Sequence, residues 1–233
     1  DKKLQIGDQA GQTMDVSIKS VKIADLGMGG VSSGSNVLIG SRWDNSPTAA
    51  TAGDIKINGQ ELGAIAATDD LEDIITNINQ NVDNVTASAF NTITAKLVGD
   101  GVTTVGQFKL QVTSLGASAA STFSISASLN LQELVDNINA ETGGLVDASI
   151  NNDGKMVLSN TTGATIAIAD GSGTINISDY DSASGFMTGA TVAAYASYAG
   201  FIKLESTNGS PVSIERGDEG TLADLTTLGF NEV

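Results

Sequence analysis

The chain has 233 residues, 40% of them apolar, which is enough for one large domain or two modest ones and too much for a disordered chain. A net charge of −16, from 27 acidic and 11 basic side chains, excludes a nucleic-acid surface, which must neutralise phosphates, and argues against an anionic membrane as partner. The absence of cysteine and histidine removes disulfides, thiolate and His-ligated metal sites, and Ser-His-Asp or Cys-His catalysis.

Carboxylate-only chemistry of the glycosidase kind stays open, but it needs isolated acids beside aromatic sugar platforms. The acids here gather at helix starts and turns, as Asp69-Asp70, Glu72-Asp73 and Asp218-Glu219, and aromatics are only 4% of the chain. The expectation is a protein that is not an enzyme, with no catalytic, cofactor-binding or metal site and no cofactor. No run reaches the ~18 apolar residues that argue for a membrane span, and no signal peptide is recognisable. The start, Asp1-Lys2-Lys3, has no Met and runs into a strand-like segment, so an excised fragment is expected.

In chain order, residues 1–40 read as a stub. Gly27-Met28-Gly29-Gly30 lacks the Lys-Ser/Thr and the strand–turn–helix setting of a phosphate loop, and reads as a linker, as does Ser32-Ser33-Gly34-Ser35-Asn36. Trp43, near Arg42, Asp44 and Pro47, reads as a core plug at a domain boundary, with an exposed contact as the alternative. Ile55-Lys56-Ile57-Asn58-Gly59 predicts a strand. Leu71-Glu72-Asp73-Ile74-Ile75-Thr76-Asn77-Ile78-Asn79 then spaces Leu71, Ile74, Ile75 and Ile78 as one apolar face of a short helix, with Asp69-Asp70 as N-cap candidates. Val85-Thr86-Ala87-Ser88-Ala89 alternates like a half-buried strand.

The same plan returns further along. Phe123-Ser124-Ile125-Ser126 stands for the first strand, Leu131-Gln132-Glu133-Leu134-Val135-Asp136-Asn137-Ile138-Asn139 for the helix, and Val146-Asp147-Ala148-Ser149-Ile150 for the second strand. This copy continues through a turn, Asn151-Asn152-Asp153-Gly154, into strands at Met156–Ser159 and Ile166–Ile168. The first copy lacks that continuation after Phe90-Asn91, but Gly200 through Ile214 aligns to Gly154 through Ile168 without gaps. Leu204 then matches Leu158, Gly209 matches Gly163 and Ile214 matches Ile168. The first unit is therefore read as split, with the second inserted between about Asn91 and Tyr198, a change tolerated at a loop tip whose ends stay together. Asp170-Gly171-Ser172-Gly173 and Asp179-Tyr180-Asp181 lack the spacing and closing Glu of a calcium loop and read as turns. The Asn-x-Ser/Thr matches at Asn84, Asn160, Asn176 and Asn208 are what chance supplies in so Asn- and Thr-rich a chain.

Ile57-Asn58-Gly59, the helix through Ile78-Asn79 and Val85-Thr86-Ala87 together resemble the so-called IN motif of flagellins and related filament proteins. The second copy has Ser126 where Asn is usual, but keeps Asn137-Ile138-Asn139. Leu4-Gln5-Ile6-Gly7-Asp8-Gln9-Ala10-Gly11-Gln12-Thr13-Met14-Asp15-Val16, followed by Leu26-Gly27, is similar to the flagellin segment leaving its N-terminal helical region. Leu225-Thr226-Thr227-Leu228-Gly229-Phe230-Asn231 is similar to the stretch returning toward its C-terminal helix. The resemblance implies an extracellular structural subunit of the bacterial flagellar filament without its polymerising terminal helices. Its implied partners are other flagellin subunits, with host receptors or antibodies besides, while the fragment alone is expected to be monomeric. It also implies O-glycosylation of exposed Ser or Thr, at no particular residue.

The expected fold is α+β, with mainly antiparallel sheets, short amphipathic helices on one face, and two related domains, one inserted into the other. Residues 41–91 plus 197–224 form the expected inner domain and 92–196 the outer one; 1–40 and 225–233 are the expected stubs. The main alternative is an adhesin or glycan-binding module of a hook-associated or filament-cap protein, with Tyr180 or Trp43 in contact with ligand.

Overall fold

The structure is a computed structural model that describes residues 2–5, 13–16, 35–43, 47–95, 98–99, 101–102, 105–106, 108–170 and 195–232. Its strands are β1 (Lys2–Gln5), β2 (Thr13–Val16), β3 (Val37–Arg42), β4 (Ile55–Ile57), β5 (Gln60–Glu61), β6 (Val85–Thr94), β7 (Phe108–Thr113), β8 (Ser121–Ser124), β9 (Asp147–Ile150), β10 (Met156–Asn160), β11 (Thr165–Asp170), β12 (Ala196–Tyr198), β13 (Phe201–Ser206) and β14 (Ile214–Arg216). The helices are α1 (Leu71–Asn81), α2 (Leu131–Glu141) and α3 (Leu222–Thr227). The fold is α+β and every pairing among the described strands is antiparallel, as expected. One sheet runs β3-β13-β6-β10-β9, a second β12-β11-β7-β8, a third β14-β4-β5, and β1 pairs with β2.

Both predicted helices are present and are 11 residues long, too short to persist alone in water. Each is held at its start by a side-chain cap: Asp70 accepts from Glu72 and Asp73 N–H, and Asn130 from Glu133 N–H. Burial supplies the rest. Leu71, Ile74 and Ile78 of α1, and Leu131, Leu134, Val135 and Ile138 of α2, are withdrawn from water. At ~1.5–3 kcal/mol for each fully buried aliphatic side chain, these anchors outweigh what a short helix lacks by itself. The buried apolar residues form two clusters, one holding Ile57, Ile78, Ala87, Leu204 and Ile214, the other Leu110, Ile138, Ala148, Leu158 and Ile168.

The strand registers repeat pair for pair. Ile202 faces Ala89 and Leu204 faces Ala87 between β13 and β6; Met156 faces Ile150 and Leu158 faces Ala148 between β10 and β9. These are the partners that the helix–strand match and the gapless return segment imply together. The duplication also reaches further than sequence comparison finds. Leu38 of β3 pairs with Leu204 as Ile93 of β6 pairs with Leu158. Thus the second half of β6 fills, for the second cluster, the place that β3 fills for the first.

One expected correspondence is corrected. Phe123–Ser126 does not take the part of Ile55–Ile57; Phe108–Leu110 does. Ile57 pairs with Ile214 as Leu110 pairs with Ile168. Consistently, Leu62 N–H donates to Ile55 O (2.9 Å) as Ile125 N–H donates to Phe108 O (3.0 Å). Phe123 belongs to β8, the counterpart of β5. The β4–β5 hairpin closes in the two-residue turn Asn58-Gly59, both with positive φ (51° and 73°), the geometry of a type I′ turn. The β7–β8 connection is longer, so the two hairpins fall out of step in the sequence.

The expected stubs also contribute to the first cluster: Leu38 from the segment before residue 41, and Leu225, Leu228 and Phe230 after residue 224. The periodicity of α3 is too brief to announce burial. Of the expected linker Ser32–Asn36, Ser35 and Asn36 are hydrogen-bonded, accepting from Val212 N–H (3.0 Å) and Ser206 N–H (2.8 Å).

Candidate functional site

Strand β6 alternates inward and outward residues along ten positions, and Val85, Ala87, Ala89, Asn91 and Ile93 point inward. An asparagine thus occupies a core-facing register position with 1% exposure. A buried amide costs free energy unless its groups find partners, and this one is fully engaged. Its Nδ2 donates to Tyr198 O (2.7 Å) and Ala164 O (2.9 Å), while its Oδ1 accepts from Arg42 Nη1 (2.7 Å). Asn91 and Tyr198, between which the sequence places the insertion, are therefore bonded to each other.

Arg42, at the end of β3, completes the cluster. Nη1 also donates to Ala199 O, and Nη2 donates to Thr92 O (2.7 Å). The guanidinium lies over the Phe201 ring at 4.4 Å and near that of Tyr198 at 5.7 Å. Phe201 in turn stacks on Phe90, with ring centroids 5.3 Å apart. Trp43 N–H donates to Gly200 O (2.9 Å). One cation thereby grips both strands that cross between the two clusters, the outgoing one at Asn91-Thr92 and the returning one at Ala199. Among the described residues it meets neutral oxygens and ring faces. The arrangement holds geometry, tying the outgoing and returning strands to one side chain.

The crossing is closely packed. A Cβ placed on Gly163 would lie 2.2 Å from Ala89 Cβ, and one on Gly200 would lie 2.6 Å from Gly163 O. To one side, Leu115 from the β7–β8 connection packs on the first cluster, and Gly116 N–H donates to Asp70 Oδ2 (3.2 Å), so the α1 cap also holds a second element.

A polar depression of about 540 Å³ lies among Asn58, Gln60, Asp83, Asn208, Ser213 and Glu215. Most of its polar groups already serve the fold. Asn58 Oδ1 accepts from Ser213 N–H (2.8 Å), the Gln60 amide meets both backbone groups of Asp83, and Asn208 Oδ1 accepts from Ser210 N–H (2.9 Å). No aromatic side chain lines it.

Trp43 is 4% exposed and belongs to the first core cluster, the plug rather than the exposed contact. Tyr180, Gly171-Ser172-Gly173, Asp179-Tyr180-Asp181, Asn176 and Gly27–Gly30 lie outside the described residues. Asn84 and Asn208 are exposed, whereas the Asn160 amide is held within its own turn by Gly163 N–H (2.8 Å) and Ala164 O (2.9 Å). Among the described residues no group of three or more Asp or Glu is placed to hold a metal, and no helix is long and apolar enough to cross a membrane. Nothing in the sequence marks the joint built by Arg42 and Asn91 as a site. Its only signal there is an Arg beside the boundary Trp and an Asn at an inward strand position.

No family model matches the chain, and no curated protein matches it. Among solved structures the chain is similar to the flagellar cap protein FliD from Helicobacter pylori, at 10% identity and a TM-score of 0.30, covering 84% of this chain and 78% of that one. A likeness of that degree carries no argument about function.

Proposed function

We propose that the chain is a structural, non-enzymatic part of a bacterial flagellar filament subunit, forming domains that project from the filament and set its surface charge and antigenicity. In this reading the first core cluster and its strands are an inner domain, and the second, inserted between Asn91 and Tyr198, is an outer one. The observation that carries it is the duplicated unit itself, joined through one uninterrupted strand and clamped by Arg42 and Asn91. Such a joint suits a rigid spacer. The resemblance of Leu4–Val16, the paired helix motifs and Leu225–Asn231 to flagellin segments supports the specific assignment. Acidity fits dense display, because like-charged neighbours resist sticking to one another. The reading places the protein outside the cell, with other subunits as partners in the whole filament and antibodies or host receptors as outside contacts.

Immunogold labelling of the source bacterium with antibodies raised against this chain tests it. Label along the whole length of the flagella is expected. Label confined to the filament tip or the hook junction would favour a cap or hook-associated protein, and flagella without label would overturn the assignment.

A further inference from the structure

The two helix motifs end in Asn79 and Asn139, and both do the same thing. Asn139 Oδ1 accepts from Ala148 N–H at 2.7 Å while its Nδ2 donates to Ala148 O at 2.9 Å. Asn79 Oδ1 accepts from Ala87 N–H at 2.8 Å and its Nδ2 donates to Ala87 O at 3.0 Å. A carboxamide presents one acceptor and one donor side by side, the same pair a neighbouring strand would offer. Each asparagine therefore bonds the backbone of one residue as an added strand would.

The location gives this meaning. Among the described strands β9 is the last of its sheet, next to β10. An uncovered edge is a template for another chain. Along that edge Asn139 takes both backbone groups of Ala148, inside the four-residue strand, so α2 fills an outward position of β9. On β6 the side away from β13 is filled by Asn79 at Ala87 and then by β10 from Asn91 onward. The first edge is thus short and flanked, so of the two strands that meet these asparagines it is β9 that ends a sheet among the described strands.

We propose that Asn139, with Asn79 as its counterpart, is an edge guard: its amide occupies the strand position through which β9 would otherwise pair with β9 of a second copy of this chain. Two copies would meet antiparallel about a twofold axis, the arrangement a self-complementary edge favours. The role is separate from merely anchoring the helix, and it holds whatever the chain does in the cell.

The test is sedimentation velocity over a wide concentration range on the wild type, Asn139→Ala and Leu134→Ala. Leu134 is fully buried in α2, so its replacement loosens the same helix and leaves the clamp in place. The wild type and Leu134→Ala should remain monomeric, while Asn139→Ala should shift with concentration toward the mass of a dimer. Should Asn139→Ala not refold, Asn139→Ser, whose shorter side chain cannot offer Ala148 the paired donor and acceptor, is judged by the same outcome. A folded Asn139 variant that stays monomeric overturns the proposal. Equal association by Leu134→Ala overturns it too, since general loosening would then be the cause.

Discussion

Replacing Asn91 by Ala removes three hydrogen bonds from a residue with 1% exposure, and their partners set the size of the loss. Ala164 O keeps a donor in Asn160 Nδ2 (2.9 Å), and Arg42 keeps Thr92 O and Ala199 O, so neither is abandoned. Tyr198 O loses a 2.7 Å bond inside the joint. A neutral bond is worth ~0.5–1.5 kcal/mol and one to a charged group ~1.5–3 kcal/mol, so with two partners partly compensated the expected loss is about 2–4 kcal/mol. At ~2–4 °C per kcal/mol for a chain of this size, thermal unfolding followed by circular dichroism should come about 5–15 °C earlier. Thr92→Ala is the control. Its side chain is exposed and Arg42 uses only its backbone carbonyl, so it should stay within about 0.5 kcal/mol of the wild type. Asn91→Asp should be at least as harmful as Ala, because a carboxylate turns oxygen toward the Tyr198 and Ala164 carbonyls. If Asn91→Ala behaves like Thr92→Ala, the amide does not hold the crossing strands and the reasoning fails.

Gly163 and Gly209 sit in matching turns at nearly equal φ (79° and 77°), but only Gly163 has a neighbour where a Cβ would go. Gly209→Ala should cost ~1–2 kcal/mol for left-handed backbone alone, and Gly163→Ala a further ~1–3 kcal/mol for overlap; equal costs in urea unfolding would contradict the packing described. Ile78→Ala and Ile138→Ala, each emptying a fully buried position, should each lose ~2–5 kcal/mol in the same assay. Asp70→Ala, which loses bonds from Glu72, Asp73 and Gly116, should be more destabilising than the ~1 kcal/mol of a simple cap such as Asn130→Ala. Equality of the two would mean that the bond from Gly116 adds nothing.

The features legible in the sequence are those with a long enough period to be seen twice. The α1 and α2 faces show four apolar residues each at helical spacing, and Gly200–Ile214 aligns to Gly154–Ile168 without a gap, so both matches return as strand registers. Short strands hide. β3 and the second half of β6 share little more than the inward Leu38 and Ile93, and only pairing to Leu204 and Leu158 reveals them as counterparts. Phe108-Lys109-Leu110 was the true echo of Ile55-Lys56-Ile57, masked because a two-residue turn in one hairpin became a longer connection in the other. The Arg42–Asn91 joint is invisible for a different reason. The hydrogen bonds described for Arg42 reach residues 49 to 157 positions away along the chain, and a lone arginine carries no periodicity.

The turn Asn151–Gly154 is the unbroken form of the hairpin that Phe90 and Gly200 leave open: Asn151 N–H donates to Lys155 O (2.9 Å), in the register at which Phe90 faces Phe201. The architecture is consequently recursive. On the proposed reading, a hairpin end that has accepted one complete unit carries, on that unit, an intact copy of itself. Splitting Asn152 from Asp153 would lay down the same pair of outgoing and returning strands, leaving both existing cores untouched. Height can therefore be added stepwise at one address, each new storey supplying the landing for the next.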